Sequence, residues 1–170
     1  MNIHMQELIA KGKTRSFHTS LDVAPLLKHR PDVLRSTPLA AALEARGEEG
    51  GVLVEGQLSV ELELACSRCL TPATEKLEIP FREFFRSASD DKEQDEEEDE
   101  VIVVEGDSFD LLPYVEQAFL LYLPFAPLCG EDCNGLCPQC GANLNEGECG
   151  CSRERLDPRM AALKDFFKQS

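Results

Sequence analysis

The stretch Val52-Leu-Val-Glu-Gly-Gln-Leu-Ser-Val-Glu-Leu-Glu-Leu-Ala-Cys66 decides the fold. Val52, Val54, Leu58, Val60, Leu62, Leu64 and Cys66 alternate with Leu53, Gln57, Ser59, Glu61, Glu63 and Ala65. A period of two over this length predicts a long strand with one face in a core, and Gly56 marks a bulge or bend. Leu77, Ile79, Phe81 and Phe85 repeat the pattern and predict a second strand. Between the two lies Cys66-Ser-Arg-Cys69-Leu-Thr-Pro72, so the first pair of cysteines sits near the tip of a hairpin, with both thiols free to point the same way.

Six further cysteines fall between Cys129 and Cys151. The eight form four close pairs: Cys66/Cys69, Cys129/Cys133, Cys137/Cys140 and Cys149/Cys151. Thiolates separated by one to three residues reach a single ion, and two such pairs fill the tetrahedral shell that zinc prefers. Cys137-Pro-Gln-Cys-Gly141 has the form of a zinc knuckle. The preferred division is Cys137, Cys140, Cys149 and Cys151 in one site, with Cys66, Cys69, Cys129 and Cys133 in the other. A single site drawn from the six clustered cysteines, leaving Cys66 and Cys69 free, is the alternative, so one or two Zn2+ per chain are expected. The chain starts without the apolar core of a signal peptide, so a cytoplasmic protein with reduced thiols is expected rather than four disulfides. Closed four-cysteine sites hold a fold together far more often than they catalyse.

Competing cysteine chemistries fit poorly. Cys133-x3-Cys137-x2-Cys140 matches the spacing of radical S-adenosylmethionine enzymes, but the chain after Cys140 is too short for their partial barrel. No βαβ pattern surrounds Cys66 and Cys69, which argues against a thioredoxin-like role. His4, His18 and His29 are scattered and read as surface residues. No glycine-rich phosphate loop and no recognisable nucleophile setting is present, so neither catalysis nor a small-molecule substrate is expected.

The rest of the chain is read as α+β. Leu21 to Leu34 and Leu39 to Ala45 suggest short helices broken by Pro31 and Pro38. Val101 to Val104 resumes a strand, Glu105-Gly106-Asp107 is a turn, and Asp110 caps a helix from about Leu111 to Leu123. Its apolar residues surround most of its circumference, which predicts a buried helix. Pro124 and Pro127 end it and deliver the chain to the cysteines. Asp157-Pro158 starts a terminal helix with Met160, Leu163 and Phe167 in a stripe. The expected architecture is a curved antiparallel, barrel-like sheet with a buried helix and a C-terminal cysteine-rich zinc module. Residues 1–128 form the α+β part, with a disordered acidic loop at 88–100, and residues 129–170 form the zinc module and terminal helix packed on it.

Charge narrows the partners. The formal net charge is −15, of which residues 90–100 carry −8. Such a chain does not grip phosphates over a broad surface. The acidic run reads first as a solvated loop, and more sharply as a nucleic-acid decoy that shields a basic partner, such as an unassembled ribosomal protein. Arg68, Arg82, Arg153, Arg155 and Arg159 could form a modest patch facing RNA or a partner beside the metal. No segment is long and apolar enough to cross a membrane, so no membrane contact is expected.

Several segments together carry a family resemblance. They are Cys66-Ser-Arg-Cys69-Leu70, Phe109-Asp-Leu-Leu-Pro-Tyr-Val-Glu, Leu-Pro-Phe-Ala-Pro-Leu-Cys129, Asp132-Cys-Asn-Gly-Leu-Cys-Pro-Gln-Cys-Gly-Ala-Asn-Leu-Asn145, Cys149-Gly-Cys151 and Asp157-Pro-Arg-Met-Ala-Ala-Leu163. In these the chain resembles the YceD family, the bacterial large ribosomal RNA subunit accumulation proteins, from about Val52 to Leu163. The resemblance implies a non-catalytic role in synthesis, processing or accumulation of large-subunit ribosomal RNA. The implied partners are the immature large subunit, its RNA or a basic ribosomal protein. An acidic chaperone for a basic ribosomal protein and a thiol redox or metal-carrier protein are the alternatives.

Overall fold

The computed structural model describes residues 1–88 and 101–151. The elements run β1 (Asn2–His4), α1 (Met5–Lys11), β2 (Thr14–Leu21), β3 (Val33–Ser36), β4 (Leu39–Glu48), β5 (Gly51–Ala65), β6 (Pro72–Ser87), β7 (Val101–Val104), β8 (Ser108–Asp110) and α2 (Leu112–Tyr122). The chain is α+β, as the sequence indicates. The acidic run 90–100, Arg153, Arg155, Arg159 and the expected terminal helix lie outside the described residues.

β5 and β6 are the spine of a six-stranded sheet ordered β2-β4-β5-β6-β7, with β3 pairing the far end of β5. They pair antiparallel without a break from Val52–Phe85 to Ala65–Pro72. Val52, Val54, Leu58, Val60, Leu62 and Leu64 are buried, as the alternation requires, and meet Ile79, Phe81 and Phe85 from β6. Gly56 makes no bulge. Its register is continuous with Leu43 on one side and Phe81 on the other. Glycine is needed there because a Cβ would lie 2.1 Å from the Ala42 carbonyl oxygen and 3.0 Å from Leu43 Cδ2.

The structure corrects further expectations. Leu39–Ala45 is a strand, with Leu39, Ala41, Leu43 and Ala45 buried and the residues between them exposed. Alanine's helix propensity is a weak preference, and the period-two burial offered by β2 and β5 overrides it. Leu21–Leu34 is not a helix either. It ends β2, makes a turn that buries Val23 and Leu27, and starts β3; Pro25 and Pro31 deny it a helical run. The sheet is not a closed barrel, since among the described residues β2 and β7 pair only on one side. Nor is it wholly antiparallel, because β7 runs parallel to β6.

α2 is half-buried rather than buried. Leu111, Val115 and Phe119 point inward at a spacing of four, against β6. The other side leaves Leu120, Leu121 and Tyr122 exposed, and Phe125 beyond the helix is 99% exposed. Asp110 does not occupy the cap position expected of it: the N-cap is Leu111, without a side-chain cap bond, and Asp110, one residue earlier, accepts the Leu112 N–H at 3.1 Å. β8 pairs with β1 through Ile3–Phe109, and Phe109 stacks on Phe85 with ring centroids 4.3 Å apart. This packing aims the exit of α2 at the β5–β6 hairpin tip.

Gly56→Ala is expected to destabilise the protein by about 1–3 kcal/mol, because the added methyl has backbone on its path rather than a movable side chain. Urea unfolding of the two proteins checks this; an unchanged midpoint would show that the β4–β5 spacing relaxes freely.

Candidate metal centres

Cys66 is the next inward position after Leu62 and Leu64, so the core-facing row of β5 ends in a sulfur. The chain then turns sharply. Leu70 adopts a left-handed backbone with φ 62°, its N–H donates to the Cys66 carbonyl at 2.9 Å, and the Cys66 N–H donates to the Thr71 carbonyl at 3.0 Å. The same loop recurs at Cys137-Pro-Gln-Cys-Gly141. Gly141 has φ 75° and donates to the Cys137 carbonyl at 2.9 Å, and the Cys137 N–H donates to the Ala142 carbonyl at 2.8 Å. The two knuckles are thus one backbone motif used twice.

The first knuckle meets the chain leaving α2. Ser67 N–H donates to the Pro127 carbonyl at 2.8 Å, and Leu136 N–H donates to the Arg68 carbonyl at 3.1 Å. The Arg68 guanidinium donates to the Cys133 carbonyl at 3.0 Å. Behind them Arg30 forms a two-pronged pair with Asp32 (2.9 and 2.7 Å) and also donates to the Pro124 carbonyl at 2.7 Å. Asp32 in turn accepts the Ala65 N–H through its carbonyl at 2.7 Å. The hydrogen bond and charge of Arg30 hold the Asp32 carboxyl below its ordinary range.

These contacts bring Cys66, Cys69, Cys129 and Cys133 together, with their sulfurs within 4.8 Å of one another. Cys66 lies 3.7 Å from Cys133 and Cys69 lies 3.5 Å from Cys129. A tetrahedral shell with metal–sulfur bonds of about 2.3 Å has sulfur–sulfur edges of about 3.8 Å, so the donor set fits a metal ion. Cys66, Cys69 and Cys133 are buried and pack with Leu136 as a small cluster apart from the main core. Cys129 is exposed.

The second cluster joins Cys137, Cys140, Cys149 and Cys151, again within 4.8 Å. Cys137 is buried, Cys140 exposed, and Cys149 and Cys151 half-exposed. A short ribbon links the clusters. Leu136 bridges Asn143, Leu144 N–H donates to the Gly135 carbonyl at 2.9 Å, and the Asn145 side chain accepts the Asn134 N–H at 2.8 Å. The Asn145 amide also points at Cys133 Sγ, 3.4 Å away.

The clusters share one electrostatic pattern. Burial raises the Cys66 thiol, but the N–H groups of Cys69, Arg68 and Cys129 outweigh it and bring it to about 6. The N–H groups of Cys140 and Gln139 bring Cys137 to about 6. Neighbouring sulfurs push Cys129 up to about 12 (Cys69, then Cys133) and Cys151 up to about 12 (Cys140, then Cys149). Four thiolates this close repel one another, and a divalent cation is what lets all four ionise together.

The structure groups the eight cysteines as the preferred reading of their spacing divides them. Arg68 is exposed, with its guanidinium engaged on Cys133 as described, and Arg82 lies on an exposed face beside Ile102, Tyr114 and Leu121. His4, His18 and His29 are exposed and belong to neither cluster. Sequence reasoning missed Arg30 and Asn145. Neither has a periodic or motif signal; only the polar Asn143-Leu-Asn145 between two cysteine pairs hinted that a side chain there serves the site.

The two knuckles differ at the left-handed position. Leu70→Gly should change stability by less than about 1 kcal/mol, since relief of left-handed strain offsets glycine's chain entropy. Gly141→Ala should cost about 1–2 kcal/mol through backbone strain, because space for a Cβ is open there. Urea unfolding of the metal-loaded proteins tests both; a large loss at Leu70 would assign its side chain a role that the backbone argument omits.

Comparison with known proteins places these features in a family. An uncharacterised protein of Mycobacterium tuberculosis (strain H37Rv) is 40% identical over 117 residues, covering 69% of this chain and 56% of that one. YlbN of Bacillus subtilis is 30% identical over 155 residues, covering 90% of this chain and 88% of that one. A chloroplastic protein of Arabidopsis thaliana, named large ribosomal RNA subunit accumulation protein YCED homolog 1, is 31% identical over 65 residues, covering 38% and 20%. The chain therefore spans little more than half the length of the mycobacterial relatives. No solved structure matches. The model of the family described as large ribosomal RNA subunit accumulation protein YceD matches residues 54–167, a span that starts in β5 and contains all eight cysteines, and the chain belongs to that family.

Proposed function

We propose that this protein is a non-catalytic factor in ribosome assembly, needed for large-subunit ribosomal RNA to accumulate, and that its two cysteine clusters bind zinc as structural support. The single observation that carries the reading is the family match across both knuckles. The donor chemistry supports the metal's identity. Four sulfurs at tetrahedral spacing suit zinc, and a closed shell leaves no coordination position for a substrate. A structural zinc is worth about 10–16 kcal/mol in small domains, comparable to a whole domain's stability of about 5–15 kcal/mol. That gain would give the cysteine-rich segment a definite surface.

The surface would meet the immature large subunit, in the bacterial cytoplasm, through its RNA or a basic ribosomal protein. Net charge favours the protein partner. A chain at −15 repels a phosphate backbone at long range and attracts a cationic tail. Arg68, beside the first cluster, and Arg82 would supply local contacts to RNA. No helix among the described residues is long and apolar enough to cross a membrane.

Depleting the protein in growing cells, followed by gradient sedimentation, tests the role. Large-subunit particles and their RNA should fall relative to small-subunit ones, and the wild-type gene should restore them. An unchanged ratio would overturn the proposal. Binding of a basic ribosomal protein that survives nuclease and weakens with salt would select the protein partner over RNA.

A further inference from the structure

We infer that the second cluster, Cys137, Cys140, Cys149 and Cys151, is a site of reversible oxidation by peroxide, at which metal is released while the first cluster keeps its ion. The inference rests on the metal reading above and adds a chemical difference between two sites of identical composition. Metal-bound sulfurs are thiolates in both clusters, so access sets the relative rates.

Access differs sharply. In the first cluster Cys66, Cys69 and Cys133 are 0%, 5% and 7% exposed. The Thr71 hydroxyl lies 3.3 Å from Cys69 and the Asn145 amide 3.4 Å from Cys133, which draws charge from those sulfurs. Cys129 is exposed and is the one sulfur of this cluster open to peroxide, against three in the second. In the second cluster only Cys137 is buried; Cys140 is exposed, and Cys149 and Cys151 are half-exposed. An open sulfur there has open partners within 4.8 Å.

The chemistry balances with a hydroperoxide as oxidant. The Cys140 thiolate attacks a peroxide oxygen, the O–O bond breaks, and hydroxide leaves, giving a sulfenic acid. A second thiolate of the cluster attacks that sulfur, the S–S bond forms, the S–O bond breaks, and a second hydroxide leaves. Two protons convert both to water. Two thiolates lose two electrons, the peroxide gains them, and the ion loses two of its four ligands. The ribbon from Cys137 to Cys151 then exchanges its four-sulfur metal link for a single S–S bond, while the β5–β6 tip stays joined to Cys129 and Cys133.

The test uses the full chain, with its zinc content measured first. Hydrogen peroxide is added in steps, released zinc is followed with a chromogenic chelator, and free thiols are alkylated and mapped by mass spectrometry. The expected result is release of one ion of two, with loss of alkylation at Cys140 and at one further cysteine among Cys137, Cys149 and Cys151, and retention at Cys66, Cys69, Cys129 and Cys133 once the protein is denatured for labelling. Dithiothreitol with added zinc should restore the starting state. Release of both ions together, or first oxidation at Cys66, Cys69 or Cys129, would overturn the inference. A chain that holds no metal before peroxide is added would overturn the metal reading itself, and the inference with it. The double variant Cys140→Ser, Cys149→Ser should hold one ion that resists the same peroxide dose; loss of that ion at the low dose would count equally against the idea.

Discussion

Sulfur crowding at the β5–β6 tip governs the rest of this structure. Residues 129–151 contain only Leu136, Pro138, Ala142 and Leu144 as apolar side chains besides cysteine, too few to bury a core. Its eight-sulfur environment, in two clusters able to hold metal, is what the segment offers in place of a core. Half of the first shell comes from the sheet, through Cys66 and Cys69, and half from the chain leaving α2, through Cys129 and Cys133. With a metal bound, the shell would cross-link the main fold to the segment that follows it. The hydrogen bonds from Ser67, Arg68 and Arg30 to carbonyls of that segment bring the halves close, but each such bond contributes only about 1 kcal/mol net. Holding four mutually repelling thiolates needs a cation.

The sheet explains why the cross-link can be placed accurately. β5 carries its buried row from Val52 to Cys66 without a register shift against β6, so the position of the first sulfur is set by the same packing that sets Leu58 and Leu62. Leu64 pairs with Ala73 and Ala65 with Pro72, and Arg30 ties the adjacent Asp32 to the last turn after α2. Packing of Phe119, Val115 and Leu111 fixes the direction in which α2 leaves. A site resting on two rigid elements holds its ligands more closely than one built from loops alone.

Legibility in the sequence followed the strength of each physical signal. β5 and β6 could be read because alternation of large apolar residues from Leu58 to Leu64 and from Leu77 to Phe81 admits one structure, although Leu53, on the other face, is buried too. The division of the cysteines was readable from ligand spacing. The N-terminal third was opaque for a specific reason: Leu39-Ala-Ala-Ala-Leu43 buries small residues, so its period of two is weak in hydrophobicity while its helix propensity is high. α2 looked buried because Leu120, Leu121 and Tyr122 are apolar; composition cannot tell a covered face from an exposed one. Arg30 and Asn145 act through contacts with residues far off in the chain or across a ribbon; nothing local announces Arg30, and only the polar run Asn143-Leu-Asn145 hints at Asn145.

X-ray absorption at the zinc edge on freshly purified protein tests the central claim most directly. With two ions per chain and four sulfur neighbours at about 2.3 Å around each, the thiolate cross-link stands. A well-ordered protein with no bound transition metal, or with nitrogen and oxygen neighbours in place of sulfur, would contradict it.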